Sequence, residues 1–220
     1  MAEKTGAGGK PQEYDTKTGW YSNLPSADSI VRNYEKRFGE IKSSEVTSRT
    51  TWVKTAPFHF RNKLIEAKES NSPETRWRVD IHESTDYVGD ALFLTAGGSC
   101  VAIEPDGNII SVCKNQFDTQ TRGQDLLRKA ISEGGDRLDA FGKGLYDFYT
   151  KNGFQPVSWT PFNRAYAPDG WKEEYGDEPV IFYKYTGNKS TLSYYEFLSK
   201  TKQSSDYDEA KDIRDKEIRG

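Results

Sequence analysis

The sequence predicts an α/β fold: a mixed central sheet with antiparallel hairpins, flanked by helices. Three observations carry this expectation. In several segments apolar residues recur every three or four positions, the period of a helix with one buried face. In others they alternate with polar residues or cluster as β-branched blocks, the pattern of strands. The two kinds of segment are interleaved, with hairpin signals in the middle and strand–helix units toward the end, so parallel and antiparallel neighbours are both expected.

Residues 1–25, rich in Gly, Lys, Thr and Pro, show no period and read as a flexible N-terminal segment, within which "KPQEYDTKTGWY" can also be read as a docking peptide. A domain is expected over 26–189. It opens with an amphipathic helix from Ser26, a cap residue, through Ala27, Ile30, Val31, Tyr34 and Phe38 to about Gly39. "VTSRTTWVKT" is β-branched but polar, which suits an edge strand. A second helix follows from Pro57, a residue suited to a first helical position, toward the "ESNSPE" breaker.

"RWRVDIHES" alternates Trp77, Val79 and Ile81 with Arg78, Asp80 and His82, predicting a strand with His82 on its polar face. "ALFLTAGGSCVAIEPDGNIISVCKN" is a hairpin closed at "EPDG". A two-residue loop there puts Cys100 opposite Cys113, whereas a three-residue loop with a bulge puts Cys100 opposite Val112; both leave the thiols as neighbours. "TRGQDLLRKAISEGGDRLDAFG" supplies a loop, a helix of about ten residues, a double-glycine stop and a short strand. "LYDFYTKNGF" is a helix with Gly153 at its end, and "PVSWTPF" and "PVIFYKYTG" are two strands joined by an acidic, aromatic segment. The segment 190–220 is expected as a tail, helical at first through Tyr194 and Phe197, then dissolving into charge.

Composition narrows the function classes. A formal net charge of -3 offers no general field for nucleic acid, which is disfavoured as a partner. No apolar run is long enough to span a bilayer and the first residues lack a secretory apolar region, so a soluble, cytoplasmic protein with no membrane partner is expected. Two cysteines and two histidines are too few for a zinc site or a multi-histidine centre, so no metal is expected. No nucleophile elbow, Walker loop or H-E-x-x-H motif occurs.

The element order and two motifs resemble the GNAT N-acetyltransferase superfamily, whose core runs helix pair, three antiparallel strands, cofactor-binding helix, strand, helix and two closing strands. The resemblance covers roughly residues 76–186. The first motif is "QTRGQD", similar to the family's pyrophosphate loop of Gln or Arg, two residues, Gly, one residue, then Gly or Ala. Gln120 and Gly123 match, while Asp125 replaces the final small residue and brings negative charge to a phosphate-facing position. A helix start suits such a loop because its first N–H groups lack intrahelical partners and carry partial positive charge.

The second motif, "FYTKNGF", resembles the family's "(L/F)Y-x-x-x-G-F", in which many members use the tyrosine to protonate the departing thiolate of coenzyme A. Tyr149 takes that position; Tyr146 has no counterpart and reads as packing or surface, and Gly142 stands where many members carry an asparagine. A phenol with a pKa near 10 stays protonated at neutral pH until a thiolate forms. The resemblance implies acetyl-CoA as cosubstrate, held by Ile110, Ser111 and Val112 on the preceding strand and by Gln120, Arg122, Gly123 and Gln124, with a backbone N–H of that strand as oxyanion donor. Glu104, Asp80 and His82 are base candidates by chemistry, each also readable as a surface residue. Glu173, Glu174, Asp177 and Glu178 in the acidic segment read either as a lid attracting a cationic amine or as a solvated loop. Two functions stand beside each other: an N-acetyltransferase acting on a protein lysine or small amine, and a non-catalytic protein of the same fold, phage-like, that binds a host protein.

Overall fold

The computed structural model describes residues 50–219; the N-terminal segment and the helix expected from Ser26 to Gly39 lie outside them. Two antiparallel sheets form the framework. The first has the order β1-β2-β3-β4, from Trp52–Lys54 (β1), Ala91–Thr95 (β2), Cys100–Ile103 (β3) and Ile109–Cys113 (β4). The second has the order β5-β7-β6, from Arg137–Phe141 (β5), Phe154–Thr160 (β6) and Val180–Tyr185 (β7). Among the described residues one parallel bridge, Asn108 with Arg137, joins them, supported by the Asp136 N–H donating to the Gly107 carbonyl at 3.0 Å.

Helices cover both faces. Pro57–Glu69 (α1) starts at its proline and packs Phe60, Leu64 and Ala67, at four- and three-residue spacing, against Leu92, Leu94, Cys100 and Ala102 on one face of the first sheet. A single turn, Pro73–Arg76 (α2), follows. Gly123–Ser132 (α3) buries Leu126, Leu127 and Ala130 against Phe93, Val101, Ile103 and Ile109 on the opposite face. Gly142–Lys151 (α4) extends that same core over the second sheet through Tyr146, Tyr149, Leu138, Ile181 and Tyr183. Tyr194–Lys200 (α5) adds Tyr194 and Phe197 to it.

Among the described residues β1 is an edge strand paired only with β2, as its polarity predicts. The hairpin of β3 and β4 combines both expected registers. Near the turn Ile103 faces Ile109 and Ala102 faces Ile110; a bulge then shifts the pairing so that Cys100 faces Cys113. Both thiols are free and buried; burial raises them, Cys113 to about 12, so they stay protonated and inert.

Two expectations are corrected. "RWRVDIHES" is not a strand but a run of turns, because side chains fix its backbone. Buried Trp77 donates its indole N–H to the Glu74 carbonyl at 3.0 Å, Arg78 clasps Glu178 through two bonds of 2.7 and 2.8 Å, and Asp80 and Asp86 accept the N–H groups of Ile81 and Glu83. His82 therefore lies on no sheet face. The C-terminal charge does not dissolve either: Tyr207–Arg219 (α6) is a helix that lays Ala210 and fully buried Arg214 on the second face of the second sheet, beside Val180 and Phe182. Residues 50–219 pack as one unit that includes α5 and α6.

Candidate functional site

β4 and β5 meet at the Asn108–Arg137 bridge and then pair with different partners, so the sheet opens toward the C-terminal ends of both strands. In open α/β sheets a crevice at the carboxyl ends of strands is the usual ligand position. The bulge lies on β4 at this opening. Between the pairs Ala102–Ile110 and Cys100–Cys113, one residue of β3, Val101, faces two of β4, Ser111 and Val112. Ser111 adopts φ 53°, the left-handed region that side chains disfavour, and its hydroxyl bonds the Tyr87 hydroxyl at 3.0 Å. Ile110, Ser111 and Val112 thus line the edge of the opening.

The chain leaves β4 through a polar knot that sets the start of α3. Buried Asp118 accepts hydroxyls from Thr95 at 2.6 Å and Ser99 at 2.7 Å, and N–H groups from Gln120 at 3.2 Å and Thr121 at 3.1 Å. Burial works against its charge, but these donors outweigh burial and hold the carboxyl below its ordinary range. Gln120 and Arg122 are exposed, with Arg122 as the N-cap residue and Gly123 and Gln124 in the first turn of α3. The Gly123 and Gln124 N–H groups, by position, have no intrahelical acceptor.

Asp125 does not point its charge freely at that end. Its carboxylate accepts the Arg122 N–H at 2.9 Å and pairs with Arg128 at 3.0 Å, a local cap with a neutralising partner. Gly123 has its own packing reason: a Cβ there would stand 3.2 Å from the Phe148 ring. That contact joins the two motifs, since "QTRGQD" and "FYTKNGF" meet where α3 begins against α4.

The two tyrosines of α4 separate. Tyr146 is buried and donates to the Leu192 carbonyl at 2.9 Å, tying α4 to the segment before α5. Tyr149 packs between Phe148, Phe154 and Tyr183, at centroid distances of 5.2, 5.9 and 5.5 Å. Burial, with the charge of Asp139 adding to it, pushes its phenol well above its ordinary value. Gly142 opens α4 at φ 70°, where an added Cβ would strike the Glu178 carboxylate, so an asparagine there has to displace the Glu178 side chain.

The acidic segment between β6 and β7 is largely neutralised, by two cations of its own and by Arg78. Arg164 pairs with Glu173 and Asp177, Lys172 with Glu174, and Arg78 with Glu178. Its aromatic residues close on the body, Phe162 lying 4.9 Å from Trp171 and 6.2 Å from Trp77. Asp80 and His82 sit in the turns before β2; His82 touches the buried Tyr87 ring edge-on at 5.7 Å. Glu104 accepts from Asn108 at 2.6 Å, beside the bridge.

The sequence reading missed three polar residues on the α6 face of the opening. Asp139 on β5 accepts the Tyr207 hydroxyl at 3.0 Å. Arg214 donates to Asn108 at 3.2 Å and to Asp215 at 2.8 Å, while its Nη2 is buried with no partner among the described residues. The alternation of "RLDAF" signals that Asp139 faces away from Leu138 and Ala140, but nothing in the sequence tells what covers it. Among the described residues no group of His, Cys, Asp and Glu is arranged to hold a metal ion, and no helix is long and apolar enough to cross a membrane. The chain matches no protein-family model and no curated protein in sequence.

Proposed function

We propose that this protein is an acyl-CoA-dependent N-acetyltransferase with a GNAT-like fold, acting on a primary amine. The observation that carries the reading is the parting of β4 from β5 beyond a single bridge, with a bulge on β4 and the start of α3 at the opening. The element order supports it: helix pair, three antiparallel strands, helix, strand, helix and two closing strands follow in the order of that family's core. The opening offers what a thioester needs, a gap between two strand edges for a narrow chain with amide groups and backbone donors at the bulge for the developing oxyanion.

In this reading the pyrophosphate rests on the Gly123 and Gln124 N–H groups, with exposed Gln120 and Arg122 beside it. The acceptor amine nitrogen bonds to the thioester carbon and loses its proton, the carbonyl reforms, and the C–S bond breaks toward Tyr149. A phenol raised by burial stays protonated until the sulfur departs, hydrogen-bonds it and then gives up its proton, which solvent replaces. Acetyl-CoA at millimolar concentration is expected to raise the melting temperature by several degrees, and coenzyme A to copurify with the chain. Asp125→Gly removes the carboxylate from the Arg122 N–H and is expected to tighten acetyl-CoA binding several-fold; unchanged affinity would separate this helix start from phosphate binding.

A second reading has its own support. Because Asp125 already takes the Arg122 N–H, the helix start is capped without a ligand, which suits a non-catalytic protein of this fold that binds a host protein. Failure of acetyl-CoA to move the melting temperature selects this reading.

A further inference from the structure

On the transferase reading the amine must lose a proton, and the sequence names no base. Counting from the Asn108–Arg137 bridge, Asp139 stands level with Ile110, one residue before the bulge at Ser111. Leu138 and Ala140 point into the core that holds Tyr149, so Asp139 points to the other face of β5, the face covered by α6. A leaving thiol and an attacking amine must lie on different sides of the carbonyl carbon, and β5 separates Tyr149 from Asp139 in that sense.

We infer that Asp139 is the general base for the acceptor amine, with Tyr207 as its positioning residue. Oδ1 is fixed by the Tyr207 hydroxyl, while Asp139 retains exposed surface. The surroundings are suited to the task. Burial raises the carboxyl toward neutrality, Glu104 raises it further, and Tyr207, Arg214 and Lys211 of α6 act in the opposite direction. Tyr149 of α4 and Tyr183 of β7 feel its charge from the other face. The Asp139 carboxylate takes a proton from the acceptor ammonium, the freed lone pair forms the N–C bond, and as the C–S bond breaks Tyr149 protonates the sulfur while the second N–H proton passes to solvent. Exchange with solvent then returns a proton to Tyr149 and removes one from Asp139.

The test uses acetyl-CoA with two probe amines at pH 7: n-butylamine, which is an ammonium ion there, and methoxyamine, which is already neutral. Asp139→Asn keeps an acceptor for Tyr207 and removes a carboxylate that burial disfavours, so it is expected to fold. It is expected to lower n-butylamine turnover about 100-fold and methoxyamine turnover less than tenfold, with the acetyl-CoA melting shift intact. Tyr207→Phe withdraws a bond that stabilises the carboxylate and is expected to move the acidic limb of the n-butylamine pH profile upward. Equal losses with both probes, no loss with either, or a wild-type protein that binds acetyl-CoA and acetylates neither amine overturns the inference. A wild-type protein that does not bind acetyl-CoA overturns the reading beneath it instead.

Discussion

The two sheets bury polarity in different ways. In the first, the deeply buried carboxylate, Asp118, meets four donors and is fully partnered. In the second, Arg214, Tyr183 and Ser204 each leave a buried polar atom without a partner among the described residues, against one such atom beside the first, an oxygen of Asp90 just before β2. A satisfied knot fixes a loop, and here it fixes the start of α3. Of the unsatisfied groups, Arg214 is the one that touches the bridge, where its side chain bonds Asn108, so that is where a ligand or a movement has a missing partner to supply.

Breaking the knot is the severest test of this contrast. Asp118→Ala strands two hydroxyls and two N–H groups, and a loss of about 3 kcal/mol or more in denaturant-derived stability is expected. Because the folded carboxyl lies below its ordinary value, its stabilisation is present above about pH 4 and fades as pH falls through the folded value. Wild-type stability should therefore drop in that acid window and Asp118→Ala should drop less, as parallel urea titrations would reveal.

Gly142→Asn comes next. A side chain at φ 70° pressed on the Glu178 carboxylate is expected to cost about 2–3 kcal/mol and to loosen the Arg78 clasp. An unchanged melting temperature would mean that the Glu178 side chain gives way freely.

The tyrosines of α4 sharpen the contrast within one helix. Tyr146→Phe deletes the bond to Leu192 and is expected to cost about 1 kcal/mol of stability and, on the transferase reading, to leave acetyl transfer alone. On the same reading Tyr149→Phe should barely move stability yet slow acetyl transfer about 100-fold. Reversed outcomes in paired melting and turnover assays would exchange their roles. The smallest effect is expected from Arg128→Ala, where loss of an exposed partner for Asp125 changes stability by no more than about 0.5 kcal/mol.

How much was legible follows the same divide. The first sheet's hairpin, α1 and α3 could be read because periodicity reports a face buried against apolar neighbours, as with Phe60, Leu64 and Ala67. The segment 77–83 misled because its alternation is real while its backbone donors go to Asp80 and Asp86 rather than to a neighbouring strand. α6 was missed because its deepest residue is an arginine, and hydrophobic periodicity assigns no face to a buried guanidinium. Of the site, Tyr149 and Gly123 were visible as motif letters. Asp139 was not, since the role inferred for it rests on a bridge between residues 29 apart in sequence and on a helix that docks from the far end of the described residues.

The single Asn108–Arg137 bridge has a mechanical meaning. Paired strands lie about 4.8 Å apart, and a guest chain set between two edges needs about twice that. With one rung holding β4 to β5, widening the gap breaks no backbone ladder beyond it. The stiffness of the opening then falls to side chains at the pivot: Arg214 on Asn108, and Asp215 at 3.6 Å from Arg137. α6 thus braces both sides of the bridge, Arg214 on the β4 side and Asp215 on the β5 side, so that the last turns of the helix, and not a backbone ladder, tie the two sheets at this point.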